Sequence, residues 1–226
     1  MTGGHFPLRS HSYVQAGSPA LRAQMALATP WKKSLRRTPG DALVIVDVQN
    51  DFLPGGVLAV PNGDAVILPL SRCAAAFDRD GLPIFATRDW HPPDHCSFRT
   101  QGGPWPAHCV AGTGGAEFPA ALALPHDARV ISKATGRGSE AYSGFQGTDL
   151  AAQMKAVKCM RVFIGGLATD YCVRATALDA RRLGIDVFVL RDAVRAVNIR
   201  PGDGERALRE MITEGVELCF AEELAA

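Results

Sequence analysis

The residue of this chain best placed for nucleophilic chemistry is Cys172, which follows the turn Gly165-Gly166-Leu167-Ala168-Thr169-Asp170-Tyr171. The run Arg161-Val162-Phe163-Ile164 ahead of that turn is β-branched and apolar like a buried strand, and the stretch after Cys172 has helical periodicity. A thiol in the first turn of a helix meets unpaired backbone N–H groups and the positive end of the helix dipole, and both favour thiolate. The alternative is a buried packing cysteine, the commoner fate of a free thiol. Three other reactive side chains stand at the ends of apolar runs. Asp47 closes the run 42–46, Asp89 follows 82–87 by way of Arg88, and Lys133 follows 128–132.

Between the second and third of these runs lies a segment rich in metal-ligating side chains: Asp89-Trp90-His91-Pro92-Pro93-Asp94-His95-Cys96, then Pro104-Trp105-Pro106-Ala107-His108-Cys109. An Asp-x-His pair leaving a strand points both side chains to one face, because the strand period is two. The prolines forbid an ordinary helix through His91 and His95, so the segment is a shaped loop, and long loops in compact domains are usually functional or disordered. Asp89, His91, His95 and His108 supply the oxygen and imidazole donors that suit zinc, manganese or iron. Exposed loop histidines are the alternative, and Cys96 and Cys109 are competing donors.

The elements that must hold these groups follow from the pattern. Helical stretches over 64–80 and 148–157 alternate with the strands, and further strands over 186–190 and 216–220 flank a helix over 204–213. The order predicts an α/β fold: a three-layer, Rossmann-like, open and mostly parallel sheet of about six strands with helices on both faces. Ligands in such sheets bind beyond the carboxyl ends of the strands, so Asp47, Asp89, Lys133 and Cys172 are expected to converge on one cleft.

A chain of 226 residues with 47% hydrophobic content is expected to form one domain with one sizeable core. No apolar run reaches the roughly 18 residues of a membrane span, and a net charge of +1 gives no reason to expect nucleic acid or an anionic membrane surface. Six irregularly spaced cysteines read as free thiols of a reducing compartment, the cytoplasm, with Cys73 and Cys159 as packing residues. Residues 1–40 differ in character: they hold no Asp or Glu and carry Arg9, Arg22, Lys32, Lys33, Arg36 and Arg37. They are expected to be a basic extension outside a domain spanning 41–226. An organelle transit peptide, an upstream start and a flexible tail each fit it, while Pro7, Pro19 and Pro30 oppose a long amphipathic helix. Nothing in the pattern decides between a monomer and a homo-oligomer.

With these residues assembled, the chain resembles the nicotinamidase and pyrazinamidase branch of the isochorismatase-like cysteine hydrolases over about 43–218. The resemblance rests on Asp47-Val48-Gln49-Asn50-Asp51-Phe52, Asp89-Trp90-His91-Pro92, His95-Cys96-Ser97-Phe98, Trp105-Pro106-Ala107-His108-Cys109-Val110, Lys133, Ala141-Tyr142-Ser143-Gly144-Phe145 and the turn ending in Cys172-Val173, all in order. It implies a catalytic triad of Asp47, Lys133 and Cys172, and an oxyanion hole from the N–H groups of Ala168 and Cys172. It also implies a non-proline cis peptide at Leu167-Ala168 and one divalent metal ion on Asp89, His91 and His108, with His95 as a further ligand or a partner of one. Phe52, Trp105, Tyr142, Leu167 and Tyr171 would line the substrate pocket; core packing is the other role open to Phe52. The implied reaction is deamidation of nicotinamide to nicotinic acid and ammonia through a thioester, in NAD salvage, with pyrazinamide as a further substrate. The alternatives are a metal-free carbamoyl or ureido hydrolase or an isochorismatase, relatives that generally lack the Asp-x-His loop, and a binding module that kept only the fold. Three departures stand out: Ala134 occupies a position where the family often has glycine, the stretch up to Tyr142 is longer, and Tyr171 stands where histidine is also seen.

Overall fold

The structure, a computed structural model, describes residues 35–225. Six strands, β1 (Asp41–Val46), β2 (Ile84–Asp89), β3 (Arg129–Lys133), β4 (Arg161–Leu167), β5 (Asp186–Arg195) and β6 (Glu217–Cys219), form one sheet in the order β3-β2-β1-β4-β5-β6. Every pairing is parallel, as the alternation of strands and helices predicts.

The strands read as continuous apolar runs because both faces are covered. On one face Leu43, Ile45, Ala86, Phe163 and Leu190 pack against Leu70, Cys73, Ala74 and Phe77 of α1 (Ile67–Arg79) and Leu224 of α5 (Glu222–Ala225). The alternate residues Val44, Val46, Phe85, Val162, Ile164 and Val189 face the other way. They meet α2 (Leu150–Ala156), α3 (Arg174–Arg182) and α4 (Asp203–Thr213) through Leu150, Met154, Ala177, Leu208 and Met211. Period-two alternation along each strand thus builds the three layers. The short α5 was not expected from the sequence. Among the described residues no helix is long and apolar enough to cross a membrane.

The expected extension over 1–40 lies outside the described residues up to residue 34. From residue 35 the chain is bound to the domain: the Leu35 N–H donates to the Glu223 carbonyl at 3.2 Å, Leu35 packs on the core and Arg37 pairs with Asp80 at 2.7 Å.

The strand order reverses direction between β1 and β4, and this switch point is where an open parallel sheet leaves a crevice beyond its carboxyl ends. Asp47 leaves β1 there and the turn to Cys172 leaves β4. Gly166 lies opposite Val46 in the register, has φ of 127°, and a Cβ on it would come 2.1 Å from the Val46 carbonyl oxygen. Glycine is required both by the dihedral and by the approach of the two backbones. Gly166→Ala is expected to lower stability by about 2 kcal/mol or more. Urea unfolding measures this, and an unchanged midpoint would contradict the close approach.

Candidate active site

The four side chains expected to converge do so around one ammonium. Lys133 Nζ donates to Asp89 Oδ1 in a short hydrogen bond and to the Ala141 carbonyl at 2.9 Å, lies 3.5 Å from Cys172 Sγ, and is 3.0 Å from Asp47 Oδ2. Its side chain has no exposure to solvent. Burial alone would push the lysine pKa down, but Asp47, Asp89 and the thiol outweigh it and hold the ammonium well above its ordinary value.

The two carboxylates are not equivalent. Burial also pushes Asp89 upward, but Lys133 and His91 outweigh it and keep its carboxyl below the usual range. For Asp47 burial prevails over Lys133, so its pKa is raised. Asp47 Oδ1 accepts the Thr87 hydroxyl at 2.6 Å. Oδ2 lies 3.0 Å from the Lys133 ammonium, and the carboxylate is within 4.8 Å of the Cys172 thiol. A buried carboxylate of raised pKa beside a thiol is suited to taking a proton. Two carboxylates pushed apart in pKa divide their tasks in this way.

Cys172 sits in a five-residue π turn, Thr169–Val173, that leads into α3. The Tyr171 and Val173 N–H groups both donate to the Ala168 carbonyl, at 3.0 and 3.1 Å. The peptide Leu167-Ala168 is cis, as the resemblance implies. The helix start does not by itself yield a thiolate, however. Cys172 is only 6% exposed, and burial, only partly offset by Lys133, pushes its pKa well up. The resting group is the thiol, and the Asp47 carboxylate stands beside it.

Beside this cluster, Asp89, His91 and His108 bring donor atoms within 4.8 Å of one another. With Oδ1 engaged by Lys133, Asp89 turns Oδ2 toward His91 Nε2, 3.7 Å away. His91 Nδ1 is 3.3 Å from the Ala134 carbonyl and His108 Nδ1 is 2.7 Å from the Pro106 carbonyl. Carbonyls accept only, so each Nδ1 carries the proton and each Nε2 keeps its lone pair, the arrangement of a metal-ligating imidazole. Burial lowers the His108 pKa and keeps the ring neutral. One carboxylate and two neutral imidazoles fit zinc, manganese or iron.

His95 stands beside this group: its Nε2 is 3.1 Å from the Ser139 carbonyl and its Nδ1 is 2.7 Å from the Ser97 hydroxyl. Its ring stacks on His91 with centroids 4.2 Å apart. Cys96 and Cys109, the other donors considered, lie outside the cluster; Cys109 is buried and its thiol is pushed far above the ordinary range.

A narrow cleft opens over these groups. Phe52, Trp105, Tyr142, Leu167 and Tyr171 line it as expected, together with Ala168, Cys172, Asp89 and His108. Trp105 Nε1 donates to the Tyr142 hydroxyl at 3.1 Å, and the Tyr171 ring lies 5.3 Å from Trp105 and 5.6 Å from Tyr142. Phe52 combines both roles open to it: it packs in the core and its ring stands 5.6 Å from His108.

Several site residues were not singled out from the sequence. Leu58, Val60 and Val197 complete the apolar walls. Gln49 clamps the Asp89 backbone from both sides: Nε2 donates to the Asp89 carbonyl at 2.7 Å and Oε1 accepts its N–H at 2.8 Å. Asp51 accepts the Cys109 N–H at 2.7 Å and so pins the loop that carries His108. Asp170 accepts the N–H groups of Val197 and Asn198 at 2.9 and 2.8 Å, tying the Val197 wall to the nucleophile's turn. Ala134 explains one departure: its φ is 52°, a left-handed position that glycine occupies at no cost and alanine at about 1 kcal/mol.

The Thr87 hydrogen bond favours ionised Asp47, so Thr87→Val raises further a carboxyl that burial already raises. Activity that needs the Asp47 base is lost as pH falls through that pKa. The acidic limb of kcat/KM, which reports the Asp47–Cys172 pair, is therefore expected to move to higher pH in the variant. A limb at the wild-type position would show that Asp47 is not the base.

The isochorismatase domain pattern matches residues 41–223. The nicotinamidase of Acinetobacter baylyi is 38% identical over 78% of this chain and 90% of that protein. The nicotinamidase/pyrazinamidase of Mycobacterium tuberculosis is 41% identical over 78% of this chain and 97% of that protein. The solved structure of the pyrazinamidase of Pyrococcus horikoshii in complex with zinc superposes with a TM-score of 0.77 at 53% identity, covering 80% of this chain and 99% of the other. With the domain pattern spanning nearly everything from β1 onward, the chain belongs to the isochorismatase-domain family.

Proposed function

We propose that this protein is a nicotinamidase: an amidohydrolase that deamidates nicotinamide to nicotinic acid and ammonia and that also accepts pyrazinamide. The observation that carries this is the pairing, in one narrow aromatic cleft, of a thiol and base on one side with a carboxylate–imidazole cluster on the other. An amide fixed to a flat heterocycle fits between them, its carbonyl toward Cys172 and its ring between Phe52 and Trp105. A carbamoyl or ureido substrate has no ring to use those walls.

Cys172 Sγ attacks the amide carbon as its proton passes to Asp47 Oδ2. The carbonyl oxygen becomes an oxyanion, held by the N–H groups of Ala168 and Cys172; one such donor is worth roughly 3–4 kcal/mol of barrier. As the C–N bond breaks, Asp47 returns the proton to the nitrogen and ammonia leaves. Water, deprotonated by Asp47, then attacks the thioester, and nicotinic acid departs as Cys172 recovers its proton. Lys133 stays charged throughout and offsets the repulsion between the Asp47 carboxylate and the nascent thiolate. Asp89, His91 and His108 would hold a zinc, manganese or iron ion, which would supply Lewis-acid chemistry for orienting the substrate ring. The pyrazinamidase of Pyrococcus horikoshii was solved in complex with zinc, which supports a metal in this family's site.

The metal-replete protein is expected to release ammonia and nicotinic acid from nicotinamide in equal amounts; no release with metal bound would refute the substrate. Cys172→Ala is expected to abolish turnover with an unchanged circular-dichroism spectrum, and retained turnover would remove the nucleophile. Asp89→Ala is expected to lose the metal and to bind nicotinamide at least tenfold more weakly; a fully metallated variant would contradict the ligand set.

A further inference from the structure

A second set of potential metal donors lies in the same cleft. Asp47, Asp89 and Cys172 each offer a donor atom, and these too lie within 4.8 Å of one another. A thiolate with two carboxylates makes a strong set for a borderline-soft ion such as zinc, and thiolate is the softer donor beside the imidazoles of the neighbouring cluster. A metal captured there would consume the nucleophile and the base together. The two clusters share Asp89, so an ion in one is within a single carboxylate of the other.

The position between these three donors is already taken. Lys133 Nζ is in contact with Asp89 Oδ1, 3.0 Å from Asp47 Oδ2 and 3.5 Å from Cys172 Sγ. The Ala141 carbonyl, 2.9 Å away, completes its surroundings. We propose that Lys133 is a tethered cation that fills the Asp47–Asp89–Cys172 site and thereby keeps divalent metal off the catalytic thiol. It also divides Asp89 between the two sites: Oδ1 is held by the ammonium, leaving Oδ2 turned toward His91. This role is separate from stabilising charge during turnover, and it rests on the metal-site reading given above.

The balance on removing Lys133 is explicit. One positive charge is lost, a divalent ion enters, and the Cys172 thiol releases its proton to solvent as the sulfur–metal bond forms. No oxidant or reductant is involved.

The test is a cobalt titration of metal-free native protein and of Lys133→Ala, followed by elemental analysis and by the thiolate-to-cobalt charge-transfer band in the near ultraviolet. Native protein is expected to show no such band even with excess cobalt. Lys133→Ala is expected to take up one more equivalent per chain than native and to show the band, and adding Cys172→Ser to it is expected to remove both. Equal uptake without the band in folded Lys133→Ala would overturn the proposal, as would the band in native protein. If Lys133→Ala does not fold, Lys133→Gln undergoes the same titration with the same outcomes. Native protein that binds no cobalt would instead overturn the Asp89–His91–His108 site, while the difference between variant and native still decides the role of Lys133.

Discussion

The cleft depends on one buried ammonium and the acceptors gathered around it. Taking an ion out of water costs several kcal/mol even after relaxation, so a lysine with no solvent exposure persists only where its protons and charge are matched. Here the ammonium and the groups that match it leave four different strands. Asp47 follows β1, Asp89 ends β2, Lys133 ends β3, and Cys172 follows β4 through its turn. The cluster therefore forms only if those strands are parallel and in register, and if β1 and β4 meet at the point where the strand order reverses. Gly166 makes that meeting possible.

From the same constraint follows the division of labour between the carboxylates. The ammonium gives its short bond to Asp89, which stays ionised and turns its second oxygen toward the histidines. Asp47 has a raised pKa, which suits the proposed role of accepting and returning a proton. Burial keeps the thiol protonated. Placement at the start of a helix, which by itself suggests a thiolate, is outweighed by the loss of solvent.

Much of this was legible in the sequence where the signal is local. Apolar runs with reactive groups at their ends located the sheet and the convergence of Asp47, Asp89, Lys133 and Cys172. Boundaries slipped for identifiable reasons. The helix expected from 148 begins at Leu150, after the N-cap residue Asp149, with the Thr148 hydroxyl accepting the Leu150 N–H at 3.3 Å. Strand β5 runs on to Arg195 past the irregularity opposite Ile164 and Gly166, where no apolar run marks it. His95 lay in the metal segment by composition, while its contact with the Ser139 carbonyl, 44 positions away, could not be read from spacing. Gln49, Asp51 and Asp170 likewise act across long sequence separations through backbone groups, and Thr87 through the Asp47 side chain, which residue type and spacing do not reveal.

The claim on which the rest turns is that Cys172 attacks a carbonyl held on a pyridine ring in this cleft. Pyridine-3-carbaldehyde labelled with carbon-13 at its carbonyl carbon reports that event directly by NMR. The account predicts one equivalent per chain of a sulfur-bound tetrahedral carbon, distinct from the aldehyde hydrate and absent in Cys172→Ala. A label that remains aldehyde and hydrate in the presence of active, metal-replete protein would contradict it.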